Sequence, residues 1–249
     1  MIIDTHTHLD NQKFIDDVDD VIKRAKEAGV GKFIIPAADP ADLPRAIKLA
    51  EKYEEIYFAV GFHPVDIDKY DEKLITDFIE HVKCVAVGEI GLDYHWVKEP
   101  EKQQIQIEFF HRQIEMAKEY NKPIIVHIRE ATEDSLKVLE KYPEIKGVLH
   151  CFNAAEQLLT LKERFYYGIG GVITFKNAKK LINVFPEIPK NRVLIETDAP
   201  YLTPHPLRGK RNEPSYTVYI RDKIAQLWGV ENEDAENITT KNAKELFYI

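Results

Sequence analysis

Two histidines one residue apart, His6 and His8, close the apolar N-terminal run Ile2-Ile3. Residues i and i+2 of a strand share a face, so the pair would aim two imidazoles at one point, as a metal site requires. A lone His-x-His is a weak signal. Comparable groups, however, follow later apolar runs: Gly61-Phe62-His63-Pro64, Gly88-Glu89-Ile90-Gly91-Leu92-Asp93, His127-Ile128-Arg129, His150-Cys151-Phe152 and Glu196-Thr197-Asp198-Ala199-Pro200. Four histidines and two carboxylates exceed the needs of one tetrahedral ion and suit two divalent ions about 3.5–4 Å apart. A carboxylate can bridge two ions through its two oxygens, which makes Glu89 the expected bridge. His6, His8 and Asp198 would complete the shell of the first ion, and His127 and His150 would hold the second. Mixed nitrogen and oxygen donors accept Mg, Mn, Zn or Fe.

These groups need a scaffold that gathers strand ends. Apolar runs and amphipathic segments alternate with a step of about thirty residues, the size of a βαβ unit. The spacing predicts strands at the N-terminus through His8, then at Phe33–Ile35, Ile56–Val60, Cys84–Val87, Pro123–Val126, Val148–Leu149, Tyr166–Ile169 and Val193–Ile195. Helical periodicity fills the intervals: Val18 to Ala28, Leu43 to Ala50, Leu74 to Val82, Ile105 to Tyr120, Leu136 to Tyr142, Leu158-Leu159 and Ala178 to Val184. Two more helices follow, at Val218 to Trp228 and Ala243 to Phe247. Eight such units predict an α/β fold, a (β/α)8 TIM barrel, as a single domain over residues 1–249. A doubly wound sheet is the competitor, but it would want Gly-x-Gly-x-x-Gly where His-x-His stands. In a barrel the C-terminal strand ends form the active-site rim. Strand parity places Val85, Val87 and Glu89 on one face, as it does Ile125 with His127, Val148 with His150, and Leu194 with Glu196 and Asp198.

Bulk properties narrow the function classes. The chain has 249 residues, 44% of them hydrophobic, and a net charge of −8. That charge argues against a protein coated in basic surface for nucleic acid, so a local basic patch or bound metal would have to attract a polyanion. No apolar run is long enough for a membrane helix and no secretory signal is visible, which predicts a cytoplasmic protein without membrane partners. Cys84 and Cys151 form no disulfide pattern and read as small buried residues.

Read together, the motifs resemble the TatD family of metal-dependent deoxyribonucleases, within the amidohydrolase-like barrels. The likeness runs through Asp4-Thr5-His6-Thr7-His8-Leu9-Asp10, Gly61 to Pro64, Gly88 to Tyr94, His127 to Arg129, His150 to Phe152, Glu196 to Leu202 and Arg208 to Pro214. Each motif is short, but seven in order are specific. The resemblance implies the ligand set above, two divalent ions, and hydrolysis of DNA from the 3′ end. Other ester substrates remain open, among them an aminoacyl-tRNA ester, a lactone or another phosphoester, as does a non-enzymatic metal-binding scaffold.

A metal pair acidifies a bound water, and Asp198 could both ligate and accept that water's proton, which makes Asp198 and Glu89 the candidate catalytic carboxylates. Arg129 could grip a phosphate, or pair with Glu130. His63 reads as a phosphate contact or as a support for a neighbouring group. Asp4, Asp93 and Glu196 are expected to hydrogen-bond the ligands rather than bind metal. The only concentrated basic segment near the rim is the loop Thr203 to Pro214, whose His205, Arg208, Lys210 and Arg211 could receive a sugar-phosphate chain or simply be solvated. Tyr94, Trp96 and Tyr201 could stack on bases or pack into the fold.

Overall fold

The computed structural model describes residues 1–36 and 38–249. Its centre is one eight-stranded parallel sheet in the order β1-β2-β3-β4-β5-β6-β7-β8. The strands are β1 Ile2–Asp4, β2 Val30–Ile35, β3 Ile56–Val60, β4 Cys84–Asp93, β5 Ile124–Arg129, β6 Gly147–Leu149, β7 Phe165–Ile169 and β8 Val193–Ile195. Between β1 and β8 the backbone closes the ring: Thr5 donates its N–H to the Ile195 carbonyl at 3.0 Å, and His8 donates to Ala199 at 2.8 Å. The result is the expected (β/α)8 barrel.

Helices cover the outside: α1 Val18–Glu27, α2 Leu43–Lys52, α3 Glu72–Thr76, α4 Pro100–Glu119, α5 Thr132–Glu140, α6 Lys179–Val184, α7 Thr217–Trp228 and α8 Asn232–Phe247. Two hydrophobic clusters follow from this arrangement. The larger lies between sheet and helices, and the smaller fills the barrel with Ile3, Ile34, Ala59, Val85, Ile125, Val148, Tyr166 and Leu194. Leu246 and Phe247 of α8 join the inner cluster and so plug the end of the barrel away from the histidines. No described helix is long and apolar enough to cross a membrane.

Several expectations need correction. The first strand ends at Asp4, so His6 and His8 lie beyond it, held to β8 and to the segment that follows it by the loop bonds just given. The β4 strand runs on to Asp93, because Ile90 to Asp93 pair with Val126 to Arg129 of β5. Val85, Val87 and Glu89 do not share a face. Val85 packs inside the barrel and Val87 in the outer layer, and the β4–β5 register shifts between Val87 and Ile90. The segment Leu74 to Val82 is helical only to Thr76, leaving Val82 87% exposed, and Leu158-Leu159 lie on a 3-10 helix, Glu156–Leu161. Cys84 is buried, whereas Cys151 is only partly so.

Candidate metal centre

The C-terminal strand ends bring His6, His8, His63, Glu89, Asp93, His127, His150, Glu196 and Asp198 to one mouth. Glu89 is its hub. Its Oε2 stands 3.3 Å from His6 Nε2, while its Oε1 faces His127 Nδ1 at 2.8 Å, His63 Nε2 at 3.6 Å and His150 Nε2 at 3.8 Å. The two carboxylate oxygens therefore serve different imidazoles. Asp198 Oδ1 lies 3.2 Å from His8 Nε2 and 3.8 Å from His6 Nε2. The backbone of Asp198 is in the left-handed region, φ +56°, and its N–H donates to the His6 carbonyl at 2.9 Å, which fixes the carboxylate beside the two N-terminal histidines.

Each histidine of the second half is backed by an acid. Asp93 Oδ2 meets His127 Nε2 at 3.0 Å, and Glu196 Oε1 meets His150 Nδ1 at 3.0 Å. Such carboxylates fix ring orientation and leave the opposite nitrogen for a ligand. Gly168 on β7 makes the Glu196 position possible, since a Cβ there would lie 2.1 Å from Glu196 Oε2. Asp4 behaves differently from Asp93 and Glu196. It accepts the backbone N–H and the hydroxyl of Thr197 at 2.9 and 2.6 Å, and it touches the chain around His6 rather than an imidazole.

Electrostatics divide the cluster. Burial disfavours charge on Glu89, yet His150, His6, His63 and a hydrogen bond from His127 hold its pKa well below the usual value. Burial likewise opposes ionisation of Asp198, and His8, His150 and His6 overcome it. His150 loses charge to burial but gains more from Glu196 and Glu89, which raise it to about 10. His63 goes the other way, pushed down to about 3 chiefly by burial. Its Nδ1 accepts the Val65 N–H at 3.2 Å, so the neutral ring carries its proton on Nε2, toward Glu89. Burial drives Asp4 up to about 8 despite its bonds from Thr197.

The donor set fits divalent ions. Three-residue groups whose donor atoms lie within 4.8 Å of one another include His6-His8-Glu89 and Glu89-His127-His150, the division expected from the sequence apart from Asp198. Two further groups are His6-His150-Glu196 and His63-Asp93-His127. Among the described residues, both ring nitrogens of His6 and Oε2 of Glu196 are buried without a hydrogen-bond partner, while Nδ1 of His150 has only the ionic contact with Glu196 Oε1. An unsatisfied buried polar atom costs about 1–3 kcal/mol, so a cluster like this is poor scaffolding and good coordination chemistry.

The basic loop is arranged otherwise than its charge suggests. Arg211 binds Asp17 through both guanidinium nitrogens, at 2.8 and 2.6 Å, and lies over Phe14. Arg208 donates to the Thr203 carbonyl at 2.9 Å and stacks on Phe175, 3.9 Å from its centroid. His205 is exposed, with its N–H on Thr174 Oγ1. Arg129 does not pair with Glu130, whose carboxylate takes His95 and Lys98. Sequence reasoning missed Asn212, which is fully buried and donates to the carbonyls of Thr197 and Tyr201 at 2.9 and 2.6 Å, clamping the loop around Asp198. It also missed Gln106 and Gln113, whose side-chain oxygens accept the Asp93 and Phe62 N–H groups. A buried amide inside a polar helix, such as α4, leaves no periodic signature.

A parallel barrel with a His/Glu/Asp cluster at its C-terminal mouth is the architecture of a metal-dependent hydrolase. The model for TatD-related DNases matches residues 3–248, and the chain belongs to the TatD family. It is 47% identical to the uncharacterised metal-dependent hydrolase YabD of Bacillus subtilis, over 100% of both chains. It is 37% identical to YcfH of Escherichia coli K12, also an uncharacterised metal-dependent hydrolase, over 100% of this chain and 96% of that one. Among solved structures it is similar to YjjV, a TatD homologue from Escherichia coli, with a TM-score of 0.91, 30% identity and coverage of 100% and 98%.

Proposed function

We propose that this hydrolase cleaves phosphodiester bonds of DNA, removing nucleotides from the 3′ end, with two divalent ions held by His6, His8, Asp198, Glu89, His127 and His150. The observation that carries this is the divided carboxylate of Glu89, one oxygen toward His6 and the other toward His127. The family's DNase model supports the substrate class. When bound, such a pair acidifies water and neutralises charge on phosphoryl oxygens.

The chain's own groups do the rest. Asp198 stays ionised, and with Oδ1 turned to His8 and His6 its Oδ2 accepts the attacking water's proton. His63, neutral and carrying its proton on Nε2, donates to a non-bridging phosphate oxygen. Arg129, two residues beyond His127, adds a cation on the same side. Asp93 and Glu196 hold His127 and His150 in place. Arg208, Arg211 and Asn212 anchor the loop that carries Asp198 and Tyr201, and His205 is left exposed for the strand.

Oligodeoxynucleotides labelled at either end, incubated with Mg, Mn or Zn and with chelator, test this. Metal-dependent shortening from the 3′ end is expected. Cleavage that survives chelation, or none in any divalent ion, contradicts it. Lactone and aminoacyl-ester turnover measured on the same sample identifies a different ester substrate.

A further inference from the structure

Rings that serve only packing are buried, but two aromatic side chains at this mouth are not. Among the described residues, the aromatic side chains most exposed to solvent are Trp96 at 67%, Tyr201 at 46% and Tyr248 at 78%. Tyr248 follows α8 at the plugged end of the barrel. Trp96 and Tyr201 instead flank the metal centre, and each is tied to it. Asp93 accepts the Trp96 N–H on Oδ1 at 2.9 Å while its Oδ2 faces His127. Tyr201 donates its N–H to the Asp198 carbonyl at 2.8 Å, and its ring centroid lies 6.2 Å from that of His8.

Each ring also carries a cation. The Arg129 guanidinium is 5.7 Å from the Trp96 ring centroid, and Lys13 Nζ is 4.8 Å from that of Tyr201. Neither Arg129 nor Lys13 is in an ion pair among the described residues, whereas Arg211 is taken by Asp17. The rim therefore holds two matched pairs, each a planar apolar face beside an uncommitted positive charge. That combination recognises a base together with its adjoining phosphate, and it tolerates any base because every base has a π-face.

We propose that Trp96 with Arg129, and Tyr201 with Lys13, are two stacking stations for the nucleobases on either side of the cleaved bond, each cation taking a neighbouring phosphate. This rests on the DNA-hydrolysing reading above. It carries the strand beyond exposed His205 to the two aromatic flanks of the mouth, because Arg208 and Arg211 of the basic loop are committed to Thr203 and Asp17. A single unpaired strand bridges them.

The test compares hydrolysis of a short oligo(dT) with that of bis(p-nitrophenyl) phosphate, which has no bases. In Trp96→Ala and in Tyr201→Ala, the ratio of kcat/KM for oligo(dT) to that for the small diester is expected to fall about tenfold, with most of the loss recovered in Trp96→Phe. A ratio within about twofold of the parent protein's, or a Trp96→Phe loss as large as that of Trp96→Ala, overturns the proposal. A second measurement needs no turnover. Oligo(dT) added to chelator-treated protein is expected to quench tryptophan emission, and the quenching should vanish in Trp96→Phe, which keeps Trp228. Quenching without hydrolysis of either substrate supports the stations and removes the hydrolytic reading. Hydrolysis of the small diester without quenching does the reverse.

Discussion

The Nε2 atom of His6 stands 3.3 Å from Oε2 of Glu89 and forms no hydrogen bond with it. Both groups are almost wholly buried, with side-chain exposures of 1% and 4%. Two buried polar groups this close would ordinarily be aligned as donor and acceptor. Their misalignment suits two donors pointing at a shared third partner, and that geometry is what a ligand pair requires.

If Asp198 takes the water's proton, Asp198→Asn keeps its size and one oxygen but loses basicity. Turnover should fall by about 100-fold or more, within the range that one general base contributes, while oligo(dT) binding by fluorescence changes little. Equal losses in both measurements contradict the base role.

Metal uptake should depend on pH in a defined direction. His150 is raised from 6.5 to about 10 in the metal-free protein, so its proton stabilises that form fully below 6.5, and the contribution disappears as pH rises through about 10. Coordination needs the neutral imidazole, so protons compete with metal across this window. Affinity should rise with pH until about 10 and then level off, with net proton release on binding below that pH. Calorimetry in buffers of different ionisation enthalpy measures both, and pH-independent affinity contradicts the coupling.

Gly168→Ala should act on the site from outside it. A methyl at that position collides with the Glu196 carboxylate, which must swing away from His150. Metal affinity should drop about 10–100-fold, as loss of a ligand's hydrogen-bonded support does, and Glu196→Gln should drop it by a similar factor. Titration against a chromogenic chelator reads the change. An unchanged affinity in Gly168→Ala would show that Glu196 does not orient His150.

The sequence makes the barrel legible because each strand is a near-continuous apolar run followed by a helix with helical spacing. The gathering of His6, His8, Glu89, His127, His150 and Asp198 is legible for the same reason, since each follows such a run. Other features depend on long-range packing and leave no local trace. The face on which Glu89 emerges is set by a register shift against β5, which strand parity cannot foresee. The Arg211–Asp17 pair joins residues 194 apart in the chain, so charge content alone reads as a binding loop what the fold uses as a fastening. Asn212 and Gly168 take their roles from the Thr197 and Tyr201 carbonyls and the Glu196 carboxylate, all in the segment that follows β8.

The most direct test of the whole account counts metal. Elemental analysis of the purified protein after equilibration with Zn or Mn should find two ions per chain, and Glu89→Gln should retain at most one, with turnover reduced by about 100-fold or more. Two ions held undiminished by Glu89→Gln, or a single ion in the parent protein, would contradict a centre bridged by Glu89.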